Sequence, residues 1–269
     1  MIKKVILVTG ASSGIGEATT AQLLQSGSVV YVTARKLADV ADLEAKGALP
    51  LKMDITRQDD VQAVVKTIIS AHGQIDVLIN NAGYAEYGPV ENVPIENARK
   101  QFEVNIFGLA RLTQLIIPHM RQAQSGTIIN VSSMGGKMYT PLGAWYHASK
   151  HALEGWSDCL RIELKQFGVK VVIIEPGVIN TSFYETMLKP LIKRTAGGPY
   201  ETLAKGLKRT TSDNNGSPPA LIASTIVKAV NSSNPQTRYV AGKYARLLLF
   251  LRAVLSDKLF DKLILRASK

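Results

Sequence analysis

The sequence predicts one α/β domain, a doubly wound parallel sheet of about seven strands with helices on both faces. Two observations predict it. Short, continuous apolar runs alternate with longer, mixed stretches along the whole chain, the order that builds a parallel sheet through helical crossovers. The runs are apolar residue after residue, the pattern of strands covered on both faces. No repeat, low-complexity tract or linker interrupts the rhythm, and 269 residues can enclose a sizeable core, so residues 1–269 read as a single unit.

The elements follow in order. "KKVILVTG" is a strand ending in glycine, followed by a helix from Gly14 to about Ser26. "VVYVTAR" is the second strand and Leu37 to Lys46 a helix; "ALPLKMD" is the third strand and Asp59 to Ala71 a helix. "IDVLINNAG" runs into a long helix from Pro94 to Ile117, with proline near its first turn. "GTIINVSS" is the fifth strand, and a helix containing "WYHASKHAL" continues to about Phe167. "VKVVIIEPG" is the sixth strand. The pattern then loosens over residues 181–219, where "AGGP" and "SDNNGSPP" punctuate a loop-rich segment. Ligands of open α/β sheets sit at the carboxyl ends of the strands, so this segment is placed to serve as a substrate lid. A helix from Pro219 to Ser232, the strand "TRYVAG" and a helical tail over 243–269 complete the chain.

Composition narrows the function. Apolar residues make up 46% and charged residues 20%, which excludes a disordered chain. Cys159 is the only cysteine, which fits a reducing, cytoplasmic compartment. The first apolar run is too short for a signal-peptide core or a membrane span. A net charge of +11 would suit an anionic ligand, but the basic residues form no block interleaved with aromatics, so no nucleic acid is expected. His147 and His151 sit at off-face helix positions, and His72 and His119 lie near helix ends with no carboxylate or cysteine at ligand spacing, so no metal site is expected either.

"TGASSGIG", Thr9 to Gly16, lies between a strand and a helix. Gly10, Gly14 and Gly16 let the backbone turn tightly, and the helix offers free N–H groups and the positive end of its dipole to a pyrophosphate. At the end of the second strand, where a carboxylate would hold the 2′-hydroxyl of NAD, stand Ala34 and Arg35. A cation there suits a 2′-phosphate, so NADP(H) is expected over NAD(H).

With these motifs in place the chain resembles the short-chain dehydrogenase/reductase family, of the compact single-domain type, in the style of its hydroxysteroid and retinol dehydrogenases. "TGASSGIG", "NNAG" (Asn80 to Gly83), "VNIFG", the serine–tyrosine–lysine set and "PGVINT" (Pro176 to Thr181) match its motifs in order. The resemblance implies a Rossmann-type domain whose cofactor contacts are Gly10, Ser12, Ser13, Gly14, Ile15, Gly16, Ala34, Arg35, Asp54, Ile55, Asn81, Ala82, Gly83, Pro176, Gly177, Val178 and Thr181. It further implies that Tyr146 is the acid/base and that Lys150 holds the nicotinamide ribose and lowers the tyrosine pKa. Ser133 would bind the substrate oxygen, and Asn105 would support a proton relay through water. Ser133 is preferred to Ser132 because the family's serine lies thirteen residues before its tyrosine.

Physical chemistry points the same way. Tyr146 and Lys150 stack on one helix face, and a nearby positive charge lowers a phenol from its ordinary value of about 10. Tyr239 and Lys243 repeat the spacing in "YVAGK", but Gly242 interrupts any helix between them, so Tyr239 reads as a packed strand residue.

Phe183, Tyr184, Met187 and Leu188 in the lid suggest a small apolar alcohol or carbonyl substrate, steroid- or retinoid-like or another ketone. A 3-oxoacyl thioester reductase and an inactive NADP(H)-binding regulator are the competing readings. The tail alternates Leu and Phe with Arg246, Arg252, Lys258 and Lys262; packing on the body is the first expectation for it, and peripheral membrane contact the second. The resemblance also implies a homodimer or homotetramer built on the long helices.

Overall fold

The computed structural model describes residues 3–211 and 216–267; residues 212–215, within the expected loop "SDNNGSPP", lie outside them. Strands β1 (Val5–Thr9), β2 (Val29–Ala34), β3 (Leu49–Lys52), β4 (Val77–Asn80), β5 (Gly126–Val131), β6 (Val169–Pro176) and β7 (Arg238–Ala241) form one sheet in the order β3-β2-β1-β4-β5-β6-β7. Every pairing is parallel. The expected doubly wound α/β class is therefore correct. The order reverses between β1 and β4, which opens a crevice at the carboxyl ends of those strands.

Two apolar layers hold the sheet. On one face Leu23 of α1 (Gly14–Gln25) and Ile222 and Ile226 of α9 (Pro219–Asn231) pack on Ile6, Val8, Val32 and Ile174. On the other, α3 (Gln58–His72), α5 (Leu109–Gln122) and α6 (Ala144–Leu164) bring Val61, Ile68, Leu112, Ile116 and Leu160 onto Leu7, Leu78 and Ile128. Each such side chain, fully buried, contributes roughly 1.5–3 kcal/mol.

Three local readings are corrected and that of the tail is refined. The helix expected over Leu37–Lys46 is a single turn, Leu37–Val40, followed by the four-residue α2 (Ala41–Glu44). The helix expected over Pro94–Ile117 is α4 (Ile95–Phe102), a π turn (Glu103–Gly108) and α5. A Cβ on Gly108 would lie 2.6 Å from the Ile55 carbonyl, so the widened turn and the bare glycine let this helix approach the loop after β3. The segment expected as a loop-rich lid is helical, α7 (Ser182–Thr195) and α8 (Glu201–Thr211), because its apolar residues recur at helical spacing and Thr181 caps α7 by accepting from the Phe183 amide. The tail is two helices, α10 (Ala245–Val254) and α11 (Asp257–Ala267), broken at Leu255 and Ser256. Phe260 and Ile264 of α11 are buried against Met138, so this part of the tail packs on the body.

Candidate active site

A cleft of about 740 Å³ runs along the carboxyl ends of the central strands, from Arg35 and Asp54 past Gly10 to Ser133 and Tyr146. Its shape follows from the glycine turn. Gly10 and Gly14 have φ of +65° and +59°, a region that L side chains avoid. A Cβ on Gly10 would lie 2.8 Å from Ala82 Cα, and one on Gly16 would collide with the Gly10 carbonyl and the Asn81 amide. Asn81 fastens the turn to β4: its Nδ2 donates to the carbonyls of Thr9 (3.0 Å) and Gly10 (2.9 Å). The Thr9 hydroxyl accepts from the amides of Asn81 and Ala82, both at 3.0 Å.

The residues expected to hold a cofactor gather here with few exceptions. Gly10, Ser12, Ser13, Gly14, Ile15, Ala34, Arg35, Asp54, Ile55, Asn81, Ala82, Gly83, Pro176, Gly177 and Thr181 line the cleft. Gly16 lies beneath the turn and off the lining; its role is close packing. Val178 is also off the lining, paired through its backbone with Lys243. Asp54 is both a cleft residue and a turn residue. Burial raises its pKa, but the hydroxyl and amide of Thr56 and the charges of Arg35 and Arg57 outweigh that and hold the carboxyl low. The elongated cleft and the bare N-terminus of α1 fit a nicotinamide dinucleotide, NAD or NADP.

At the other end Tyr146 and Lys150 face inward from α6 and are buried. Lys150 Nζ donates to the Val131 carbonyl at 2.9 Å. Burial lowers the lysine to about 8, against which the nearby Glu154 charge raises it. The expectation of a lowered tyrosine is not met: burial pushes Tyr146 up to about 12, opposed only by a hydrogen bond from Ser133. Ser133, two residues past the end of β5, is extended and its hydroxyl accepts from the Gly135 amide at 3.0 Å. Ser133 thus faces the phenol, whereas the Ser132 hydroxyl is buried without a hydrogen bond.

Asn105 lies in the π turn and does not reach Tyr146 directly. Its side chain accepts from the Tyr84 amide (3.1 Å) and donates to the Tyr84 carbonyl and the Ser149 hydroxyl, both at 3.0 Å. It clamps the loop after β4 to α6, one residue before Lys150. π turns of this kind recur at functional sites. Tyr239 lies in β7, half-buried against the sheet, with its hydroxyl accepting from the Gln236 amide at 3.1 Å, away from the cleft.

Sequence reasoning passed over two groups. His147, read as an off-face residue, is buried. Its Nε2 accepts from the Thr140 amide at 3.1 Å, so its Nδ1 carries the proton and donates to the Gly135 carbonyl at 2.9 Å. Burial drives it down to about 4, which keeps it neutral. It pins the turn after Ser133 to the helix that carries Tyr146, and only the neighbouring tyrosine could have signalled this. Tyr87, from the loop after β4, packs against Tyr146 with ring centroids 5.8 Å apart. Phe183 of the lid approaches Tyr146 equally closely, at 5.8 Å, and Met187 and Leu191 complete the apolar wall. Arg194 ties α7 to the loop after β4 through Glu86, at 2.6 Å, and through the Tyr87 carbonyl.

A family model described as short chain dehydrogenase matches residues 4–190. The 3-ketodihydrosphingosine reductase of Bacteroides thetaiotaomicron is 36% identical over 253 residues, covering 92% of this chain and 91% of that protein. The NADPH-dependent 3-dehydrocapnine reductase of Ornithobacterium rhinotracheale is 32% identical over 279 residues, covering 98% and 96%. Among solved structures, a short-chain dehydrogenase from Streptomyces avermitilis superposes with a TM-score of 0.83 at 31% identity over 99% of each chain. Fold, site and relatives converge: the chain is an oxidoreductase that belongs to the short-chain dehydrogenase/reductase family.

Proposed function

We propose that the protein is an NADP(H)-dependent reductase of an apolar ketone, with the substrate a long-chain aliphatic 3-ketone, and that Tyr146 supplies the proton. The observation that carries this reading is the meeting of Ser133 and Tyr146 at the end of a cleft walled by Phe183, Tyr184 and Met187. Two relatives named for reducing 3-keto or 3-dehydro compounds support the substrate class, and the name of one includes NADPH.

A bound NADPH would supply hydride to the carbonyl carbon. Ser133 would donate to the carbonyl oxygen and orient it toward Tyr146. As negative charge develops on that oxygen, the Tyr146 O–H delivers its proton and the oxygen becomes the alcohol. Lys150 would bind the ribose hydroxyls and stabilise the phenolate that remains. Asn105 fixes the loop and helix between which a water could supply the proton that the phenolate regains by way of Lys150. Arg35 and Ser12 would take the 2′-phosphate, the N-terminus of α1 the pyrophosphate, and Asp54 and Ile55 the adenine edge.

The test is a panel of ketones read by the absorbance loss of NADPH. Each CH₂ buried in an apolar cleft contributes about 0.8 kcal/mol, roughly fourfold in binding. A long-chain 3-ketone is therefore expected to show KM at least ~10-fold below its short-chain counterpart. Faster turnover of acetoacetyl thioesters than of any ketone would overturn the substrate assignment.

Two surfaces extend the reading to assembly and location. Leu247, Phe250 and Val254 expose one apolar stripe of α10; Arg246 of that helix and Lys258, Lys262 and Arg266 of α11 are exposed too, as are Asp257 and Asp261. No described helix is long and apolar enough to cross a membrane. We read the stripe as a peripheral contact with an anionic bilayer, from which an apolar substrate would reach the cleft in a cytoplasmic enzyme. Exposed Phe107 and Ile162, on the π turn and α6, would form the contact of a homodimer. Sedimentation with and without phosphatidylglycerol vesicles reads both surfaces. A species of twice the 29.2 kDa chain mass in buffer, pelleting with anionic but not zwitterionic vesicles, is expected. A monomer that ignores both vesicles would rule both contacts out.

A further inference from the structure

Behind the active-site helix lies a buried acidic group that the proposed reaction does not use. Glu154 follows Lys150 by one turn of α6, and Glu175 stands near the end of β6, beside the Pro176–Gly177 wall of the cleft. Each is only 2% exposed. Two carboxylates in so dry a site repel each other and lose hydration, which makes Glu175 hold its proton more tightly than an ordinary carboxyl.

The surroundings bear this out. Arg238 of β7 donates through Nε and Nη2 to Glu154 Oε2, at 3.3 and 3.2 Å, and through Nη2 to Asp158 at 2.6 Å. Its Nε also lies 3.2 Å from Glu175 Oε1. Lys137, after the turn that follows Ser133, reaches Glu154 at 3.6 Å. Asp158 is further paired with Arg161. Yet Oε1 of Glu154 and Oε1 of Glu175 have no hydrogen bond from another described residue. One proton held between the two carboxyls would satisfy both atoms. Burial and the Glu154 charge push Glu175 up to about 7, against the pull of Arg238 and Lys137. The Ser132 hydroxyl, also unpaired, borders the same space: a Cβ on Gly136 would lie 2.8 Å from Ser132 Oγ and 2.9 Å from Glu154 Cγ.

We propose that Glu154 is a positioning residue of the catalytic site, whose charge keeps the protons on the Tyr146–Lys150 pair at neutral pH, with Glu175 sharing the proton that lets two carboxyls occupy one buried place. The inference rests on the reaction proposed above. The groups that face Glu154 are Lys150 and Asp158 from its own helix, Lys137 from the turn, Glu175 from β6 and Arg238 from β7. A negative charge beside Lys150 makes proton loss from the pair harder, whichever member releases the proton.

The test is the pH dependence of kcat for ketone reduction, which requires Tyr146 protonated and Lys150 charged. Glu154→Gln is expected to move the alkaline limb to lower pH by about one unit, with a smaller change in KM, and Glu154→Asp to restore it. Lys137→Met, at a half-exposed position that folding tolerates, removes a positive charge and is expected to move the limb to higher pH. If both variants fold and leave the limb in place, the proposal fails; if Glu154→Gln does not fold, Lys137→Met decides. The same directions should appear without substrate, in the tyrosinate absorbance that Tyr146→Phe removes, so a protein that reduces no ketone still tests the inference.

The shared proton has its own readout. A raised carboxyl contributes stability that is present below the ordinary carboxylate range and is lost as pH rises through about 7. The thermal midpoint should therefore fall across that window, and Glu175→Gln should flatten the fall. An identical fall in the variant would remove Glu175 from the account.

Discussion

Tyr146→Phe is expected to lower kcat for ketone reduction by about 10³-fold while leaving NADPH binding nearly unchanged. General acid catalysis contributes roughly 10²–10⁴-fold, and the variant removes the one hydroxyl placed both against Ser133 and in the cleft. The ring remains, so its packing with Tyr87 and Phe183 persists and the wall of the site keeps its shape. Steady-state rates with NADPH, together with fluorescence titration of the cofactor, check it. A variant that turns over at more than a tenth of the normal rate would mean that the proton comes from elsewhere.

Arg35→Glu is expected to raise KM for NADPH about 10–100-fold and to leave KM for NADH close to its starting value. A hydrogen bond to a charged group contributes about 1.5–3 kcal/mol, and reversal of the charge adds repulsion from a 2′-phosphate. Arg35 lines the far end of the cleft, within electrostatic reach of Asp54. The variant leaves Asp54 in place, and Asp54 together with the new carboxylate would favour a ribose hydroxyl. Parallel assays with the two cofactors read the ratio; an unchanged ratio would show that Arg35 does not select the cofactor.

The fold was legible because β1, β4, β5 and β6 are each built on a short continuous apolar run, the pattern of strands covered on both faces. The cofactor turn was legible because "TGASSGIG" encodes a left-handed backbone at Gly10 and Gly14. What stayed hidden depends on contacts between distant segments. The π turn at Glu103–Gly108 exists because Asn105 is drawn to Tyr84 and Ser149, and no local pattern announces such a pull. The lid was read as loop because its glycines and prolines dominate the local signal, whereas Leu188 and Leu191 are buried in its helical form. The protonation of Tyr146 was misjudged for a related reason. Spacing places a lysine beside the phenol, but burial and the turn of Lys150 toward Val131 decide the balance. The neutral His147 and the Glu154–Glu175 pair are further properties of the assembled core.

The most direct measurement of the central claim follows the hydride itself. NADPH deuterated at the transferring position of the nicotinamide is supplied with a long-chain 3-ketone, and the product is examined by mass spectrometry. The account predicts an alcohol that carries one deuterium on the former carbonyl carbon, formed by the native protein and nearly absent with Tyr146→Phe. An unlabelled alcohol, or labelled product at equal rates from both proteins, would contradict it.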